Sequence, residues 1–543
     1  MIIIVTFFIT IIIWFYLFKT VNWKYRNFSS PGLCLPFLGH SYKLCSKSFK
    51  ADPVNEAWKM YKKYQRGGMM YFKMFSQDVV WVGDFDTLKY IFNHPDGNGR
   101  LDHNMEMMKK KERKVTCAHF PGVVFSSGET WKQQRRFTLR TLRDFGFGKQ
   151  GMEELIQGEV AQFLGFLDLE VGTPIDISGR MSLPILNSLW RLTVGESFHY
   201  SDPRLLQTDS IYFFYKFTNI FPLRLLDICR RLTDWFRVQV SPLQSLLYCR
   251  PWLARVPGLA AVWEQNTRSL AEAGQLVQET IGRHQATRDS LEPRDYTDMA
   301  LAEIERTTDP ASSFHGQTGL DNLQSTLLDL FTAGFETIST TLTWGCLYMV
   351  SYPGVQARLQ QELAGVVGED RSPAMEDRPR LPYTEAVLME VQRHANILPH
   401  GLKHRVTRQL AVRGALLPAG TMVMPVMAEV LKGDHWGDGE VFRPERFLDT
   451  EGRVVKDERW VPFSLGRRQC LGETLARMQL FLFFTALLHR FTLLPAVPGA
   501  GPAEAWQLGL TAPPKPFQLR LEPRVEERKQ QHVCSGQTAD KRG

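Results

Sequence analysis

No two of the eight cysteines in this chain form a CxxC pair, and eight thiols are too few to staple 543 residues into a disulfide scaffold. Most of them read as free thiols in a reducing compartment. Charge of one sign is scarce as well. Lysine and arginine (65) exceed aspartate and glutamate (57) only modestly, a surplus that suits an acidic partner or an anionic membrane surface and is too weak to argue for nucleic acid. At 44% hydrophobic residues the chain is neither disordered nor collagen-like, and it is not a polytopic membrane protein. There is no internal repeat, and no shift of composition divides the middle. The length would allow three domains, whereas the even texture argues for one large α-rich domain.

The N-terminus holds a long apolar run, from Ile2 to Phe18, interrupted only by Thr6 and Thr10. As a helix it just spans a bilayer, with Trp14, Phe15 and Tyr16 towards one interface. Lys19, Lys24 and Arg26 follow and nothing basic precedes, which leaves the rest of the chain in the cytosol. A cleaved signal peptide is the competing reading, but a charged leading segment and a small-residue cleavage site are both missing. We divide the chain into an anchor (residues 1–20), a Pro/Gly linker (21–50), an α-rich domain (51–523) and a polar tail (524–543) read as disordered. Strand character is confined to Val80–Val82 and His404–Met424, where Gly414 and Pro418-Ala419-Gly420 punctuate β-branched runs as in small antiparallel hairpins. The polar stretches Thr307–Gly319 and Gly368–Arg380 read as surface loops.

Chemistry concentrates in a few places. In Phe463-Ser-Leu-Gly466-Arg-Arg468-Gln-Cys470-Leu-Gly472 a cysteine precedes a helical pattern, so free backbone N–H groups and the helix dipole favour its thiolate. Gly466 permits a tight turn, Gly472 lets the backbone approach something flat, Phe463 could shield the sulfur and Arg468 could neutralise a carboxylate. A lone cysteine is more often a small buried hydrophobe; five spaced residues together reverse that reading. A second stretch, Ala333-Gly334-Phe335-Glu336-Thr337, lies in a helical run from about Asn322 to Ser351 that Pro353 ends. Its small residues leave room beside a flat cofactor, and an acid next to a hydroxyl offers a proton-delivery pair. An ordinary buried helix with a hydroxyl stripe is the alternative.

The ten-residue FxxGxRxCxG pattern resembles the haem-binding loop of the cytochrome P-450 monooxygenases, and AGFET resembles that family's oxygen-activation motif. The resemblance covers roughly residues 31 to 520 and points to the microsomal, animal-type branch. It implies a mainly α fold with small antiparallel β-sheets, a single large haem domain behind an N-terminal membrane anchor. It also implies haem b, with Cys470 as the thiolate ligand of the iron, Thr337 in oxygen activation and Glu336 in the proton relay. Ala333 would line the substrate side. Glu390, Arg393 and Arg446 would form a structural triad behind the haem. In Gly128-Glu-Thr-Trp131-Lys-Gln-Gln-Arg135, Trp131 and Arg135 share a helix face and are suitable donors to a haem propionate. His404 sits where this branch often has a propionate-binding histidine. Arg100 would be a further contact, although Met105–Lys114 looks like an insertion beside it.

Electrons would come from NADPH through a flavoprotein NADPH–cytochrome reductase, with cytochrome b5 as a second donor. Lys132, Arg136, Arg140, Arg143 and Lys149 form a basic helix face suited to an acidic partner, or simply a solvated one. The cavity would be lined by residues 101 to 125, 205 to 250, Ala333 and Asn396 to Leu402, and the aromatic run 211 to 221 is core or a lipid-facing mouth. An apolar substrate from membrane lipid is expected: a steroid, terpenoid hormone, fatty acid or xenobiotic. The expected location is the endoplasmic reticulum membrane, single-pass, with the catalytic domain cytosolic. Two rivals keep the same Cys470: a haem–thiolate isomerase or dehydratase that needs no reductase, and a haem-based sensor that needs no proton relay.

Overall fold

The computed structural model describes residues 24–524 apart from 36–37, 76, 101–121, 145–149, 197–242, 244–245, 248–252, 254, 290–291, 508 and 510. The anchor Ile2–Phe18, the Met105–Lys114 insertion, the aromatic run 211–221, Lys149 and the tail beyond 524 therefore lie outside the described residues. Among the described residues no helix is long and apolar enough to cross a membrane.

After a short helical turn at Lys47–Ala51, α1 (Pro53–Tyr64) leads to the hairpin β1 (Met69–Met74) and β2 (Gln77–Val82), then α2 (Phe85–Asn93). Helices α3 (Gly128–Asp144), α4 (Gln150–Asp168), α5 (Ile177–Val194), α6 (Leu259–Thr287) and α7 (Tyr296–Arg306) follow. The central element is α8 (Gly316–Ser351), 36 residues and so about 54 Å long. It takes in Gly316–Gly319, the end of the stretch read as a loop, and it stops where Pro353 opens α9 (Pro353–Val367). From Asn322 to Val350 it is buried almost all round, with the exceptions on the stretch from Asp329 to Thr337. A helix buried on every side must run through the core, and α8 packs most heavily on α5, then on α6 and on two later helices, Glu473–Arg490 and Pro382–Ala395.

Helix α10 (Pro382–Ala395) ends at Asn396, which takes the left-handed conformation with φ of 44°. After it come β3 (His404–Arg405), β4 (Leu410–Val412), β5 (Ala415–Leu417), β6 (Met422–Pro425) and α11 (Met427–Lys432), then α12 (Glu473–Arg490), β7 (Phe491–Pro495) and β8 (Leu519–Pro523). The expected β4–β5 hairpin is present, turning on Arg413 and Gly414, both with positive φ as its tight turn requires. The expectation of small antiparallel sheets holds for β4–β5 and β7–β8 but needs correction for the third sheet. β1-β2-β6-β3 is a mixed sheet in which β2 and β6 run parallel, Val79 facing Met422. Residue pattern reports which face of a strand is buried, not the direction of a neighbour from far along the chain. Tyr25 joins this sheet, stacking on Tyr71 at 4.4 Å and hydrogen-bonding Thr421 at 2.7 Å.

Candidate active site

The cysteine loop is tied down at several points. Gly466 sits at φ of +75°, and a Cβ there would strike the Phe92 carbonyl, so glycine lets the loop close on the end of α2. The Cys470 N–H donates to the carbonyl of Phe463 at 3.0 Å, and the half-buried Phe463 ring lies 4.9 Å from the Arg477 guanidinium. Cys470 stands just before α12, where Gly472 is the capping residue. A Cβ on Gly472 would meet no protein atom within 4 Å, which leaves that flank open to a flat group. A water-sized molecule reaches the Cys470 surface through a cleft of about 490 Å³ lined by Arg135, Glu473 and Arg477, while the surrounding shell is protein. Burial accordingly pushes the thiol up; the Gly472 N–H opposes the rise, Glu473 adds to it and Arg135 opposes it. A thiolate in this place calls for a metal cation as partner.

On one side of this loop lies a group of cations. Arg468 is buried and donates through Nε and Nη2 to the Asn98 carbonyl (3.1 and 2.9 Å) and through Nη2 to that of Ser126 (2.6 Å). Its guanidinium lies 3.9 Å over the Trp131 ring. Arg100 donates to the carbonyls of Val124 (3.3 Å), Leu402 (3.3 Å) and Lys403 (2.8 Å). Burial, with Arg100 and Arg135 adding repulsion, lowers Arg468 to about 8; burial and Arg135 lower Arg100 to about 10. Arg135 donates to the Gln469 carbonyl at 2.7 Å, tying α3 to the residue beside Cys470. His404 stacks on Phe92 at 3.8 Å with Nδ1 2.8 Å from the Gly97 carbonyl, and burial and Arg100 hold it well below the usual imidazole range. It is thus neutral, with its proton on Nδ1 and Nε2 left as an acceptor.

This assembly fits a dianion. Among the described residues no carboxylate lies within ion-pair distance of Arg100, Arg135 or Arg468, and the Arg468 Nη1 and Trp131 Nε1 donors are buried without a partner. Buried cations and buried donors are costly unless paired, so two carboxylates at the rim of a flat cofactor answer both needs.

On α8, Ala333 is exposed and Thr337 half-buried, and with the partly buried Asp329, Leu330, Thr332 and Gly334 they open a window in a helix that is otherwise buried from Asn322 to Val350. Thr337 Oγ1 donates to the Ala333 carbonyl at 2.7 Å. Gly334 serves a different purpose from the one its motif suggests: a Cβ there would come within 2.7 Å of Leu189, so its missing side chain lets α5 and α8 close together. The acid and the hydroxyl also point apart. Glu336 is buried and its Oε1 accepts from Thr511 Oγ1 at 2.7 Å. Neighbours on a helix stand about 100° apart and do not face each other. Thr511 was not legible as a site residue, since nothing local marks it. Asp329 was also not read, although its place one turn before Ala333 is a signal that marks it. Its Oδ2 accepts from the Val124 N–H at 2.8 Å, and burial pushes its carboxyl up to about 7.

Behind the loop the expected triad is present. Arg393 donates twice to Glu390 (2.7 and 2.8 Å) and Arg446 donates to it at 3.1 Å, with all three side chains buried. Outside, Lys132, Arg136, Arg140 and Arg143 of α3 are exposed and, with Arg467, line a groove of about 620 Å³.

Comparison with known proteins agrees with this geometry. The cytochrome P450 family model matches residues 30–521. Rat cytochrome P450 2D4 is 38% identical over 407 residues, which cover 74% of this chain and 76% of the relative. Gorilla cytochrome P450 2F5 is 36% identical over 500 residues, 90% of this chain and 93% of the relative. Human cytochrome P450 2D6 is 37% identical over 401 residues, covering 73% and 75%. That family uses haem with cysteine-thiolate ligation and NADPH-derived electrons passed on by a reductase. With the match running through the cysteine loop, the cation group and α8 alike, the chain belongs to the cytochrome P450 family and is a monooxygenase of its animal-type branch.

Proposed function

We propose that this enzyme is anchored by Ile2–Phe18 in the endoplasmic reticulum membrane. There it inserts one atom of dioxygen into an apolar substrate that arrives from lipid, a steroid, terpenoid hormone, fatty acid or xenobiotic. Cys470 is the thiolate ligand of haem b, and Arg468, Trp131, Arg100 and Arg135 hold the two propionates. His404 joins them on taking up a proton, which an adjacent carboxylate favours. When bound, the haem supplies the oxidation chemistry, with the thiolate pushing electron density onto iron. Phe463 covers the flank of the sulfur, and its carbonyl fixes the Cys470 N–H.

Thr337, already donating to the Ala333 carbonyl, keeps lone pairs that accept a proton-bearing donor in the cavity. Ala333 leaves space for substrate. Glu336, held at Thr511, takes protons on the buried side of α8 and delivers them by swinging towards Thr337. The groove around Arg136 and Arg140 receives an acidic reductase, and cytochrome b5 shares that face.

The uncompensated cation group beside an accessible cysteine carries this reading. Its test is the reduced carbon-monoxide difference spectrum of wild type beside Cys470→Ser, followed by turnover with and without NADPH and reductase. The thiolate-type band is expected only in the wild type; a band that survives the substitution refutes the ligand. An isomerase working on a peroxide needs no reductase, so product formed at full rate without NADPH would favour that alternative.

A further inference from the structure

The helix that carries Thr337 continues into a series of oxidisable rings. Trp344 lies seven residues beyond Thr337 on the same stripe of α8, about 10 Å further along its axis. Its indole is buried and donates to the Ala512 carbonyl at 2.9 Å, next to the Thr511 that binds Glu336. One turn on, Tyr348 stacks against Trp344 with centroids 5.4 Å apart. A further turn brings Tyr352 to 6.3 Å from Tyr348, and Phe442 lies over both phenols at 4.6 and 5.0 Å. Tyr348 is fully buried, whereas Tyr352 caps the end of α8 and is half-exposed.

Each phenol has a base. The Tyr348 hydroxyl is 2.9 Å from His394 Nδ1, and His394 Nε2 is 3.0 Å from the Glu440 carbonyl. A carbonyl only accepts, so Nε2 carries the proton and Nδ1 is the acceptor for Tyr348. Burial and Lys432 keep the imidazole neutral. Tyr352 bonds the exposed Glu504 carboxylate. Buried tyrosines commonly find a partner; here both partners are Brønsted bases rather than plain carbonyls. A side branch exists at Trp506, 6.0 Å from Trp344, and Lys432 Nζ stands 4.6 Å over its ring. Burial lowers the Lys432 ammonium to about 7, so it is no standing cation; the Trp506 indole, however, donates to the Ala395 carbonyl, which takes up no proton, and that favours the tyrosine branch.

We propose that Trp344, Tyr348 and Tyr352 form a hole-transfer route that drains oxidising equivalents from the haem site when oxygen is activated without substrate being consumed. An electron passes from Trp344 to the oxidised haem centre. Tyr348 refills Trp344 as its phenolic proton moves to His394 Nδ1. Tyr352 then refills Tyr348, the proton returning from His394, while the Tyr352 proton moves to Glu504. A cytosolic thiol restores Tyr352 with one electron and one proton and becomes a thiyl radical, two of which pair as a disulfide, and Glu504 releases its proton to water.

This rests on haem being bound, which the carbon-monoxide spectrum of the same samples reports separately. Full-length, haem-loaded wild type and Tyr348→Phe, without substrate, are mixed with hydrogen peroxide and freeze-quenched for electron paramagnetic resonance. The wild type is expected to show a tyrosyl radical that Tyr348→Phe lacks, and the haem absorbance of the variant to bleach several-fold faster. The same radical and the same bleaching rate in both would overturn the route. Should Tyr348→Phe not fold, Tyr352→Phe at its half-exposed position is expected to lengthen the life of the radical; an unchanged lifetime counts equally against it. A wild type without the thiolate-type band fails the haem reading instead.

Discussion

Replacing Arg468 by methionine separates the two demands made on that side chain. In the cofactor-free chain Arg468 is a buried cation among other cations, stacked on Trp131 and bonded to the carbonyls of Asn98 and Ser126. Methionine removes the repulsion and fills similar space, but it leaves those two carbonyls wanting, a cost of about 1–3 kcal/mol each if no water reaches them. These effects oppose each other, so unfolding of the cofactor-free protein should change little. In the haem-loaded protein the same substitution also strips a buried carboxylate of its partner, worth about 3–5 kcal/mol. At about 1.4 kcal/mol per tenfold, that weakens haem retention by roughly a hundredfold to several thousandfold. Transfer of haem to excess apomyoglobin measures the loss rate directly, and thermal unfolding with and without haemin supplies the second reading. Arg468→Lys, which keeps the charge and loses the planar fork, should fall between. If Arg468→Met keeps haem within a few-fold of wild type, no carboxylate rests on that guanidinium and the fit described for the cation group is wrong.

Other expectations are as direct. Asp329 has a folded pKa raised to about 7 from 3.8, so the native state holds the extra proton and this group's contribution to stability is present below about 4 and lost as pH rises to about 7. Its slope approaches 1.4 kcal/mol per pH unit inside that window, and urea unfolding of Asp329→Asn should lack it; an unchanged slope refutes the assignment. Thr511→Val removes the hydroxyl from Glu336 at a cost of about 1 kcal/mol and should alter the solvent isotope effect on turnover, with Thr511→Ser restoring it. Equal isotope effects in all three would exclude Thr511 from the proton path. Reversing charge at Arg136 and Arg140 should raise the apparent KM for reductase and flatten its salt dependence while leaving the carbon-monoxide spectrum intact. Unchanged salt dependence would move the docking face elsewhere.

Features written within one helical turn or one loop were legible in the sequence. The Cys470 loop, the end of α8 before Pro353, the β4–β5 turn and the pairing of Glu390 with Arg393 all follow from local spacing. What escaped was set by packing between distant segments. The carbonyls of Asn98 and Ser126 under Arg468 and the Thr511 hydroxyl on Glu336 have no local pattern, because each exists only once the chain has folded back on itself. The parallel run of β2 beside β6 escaped for the same reason. The divergence of Glu336 and Thr337 is different. Adjacent residues on a helix cannot face the same way, so that separation was available from geometry alone and the familiar motif obscured it.

Arg135 has a foot on either side of one wall. It borders both the outer groove with Arg136 and Arg140 and the cleft that reaches Cys470, and it grips the carbonyl next to the sulfur. An acidic protein seated on the outside would therefore draw on the same guanidinium that steadies the thiol. If the electron donor docks there as proposed, its arrival would be felt at Cys470 before any electron moves, with no shift of the backbone.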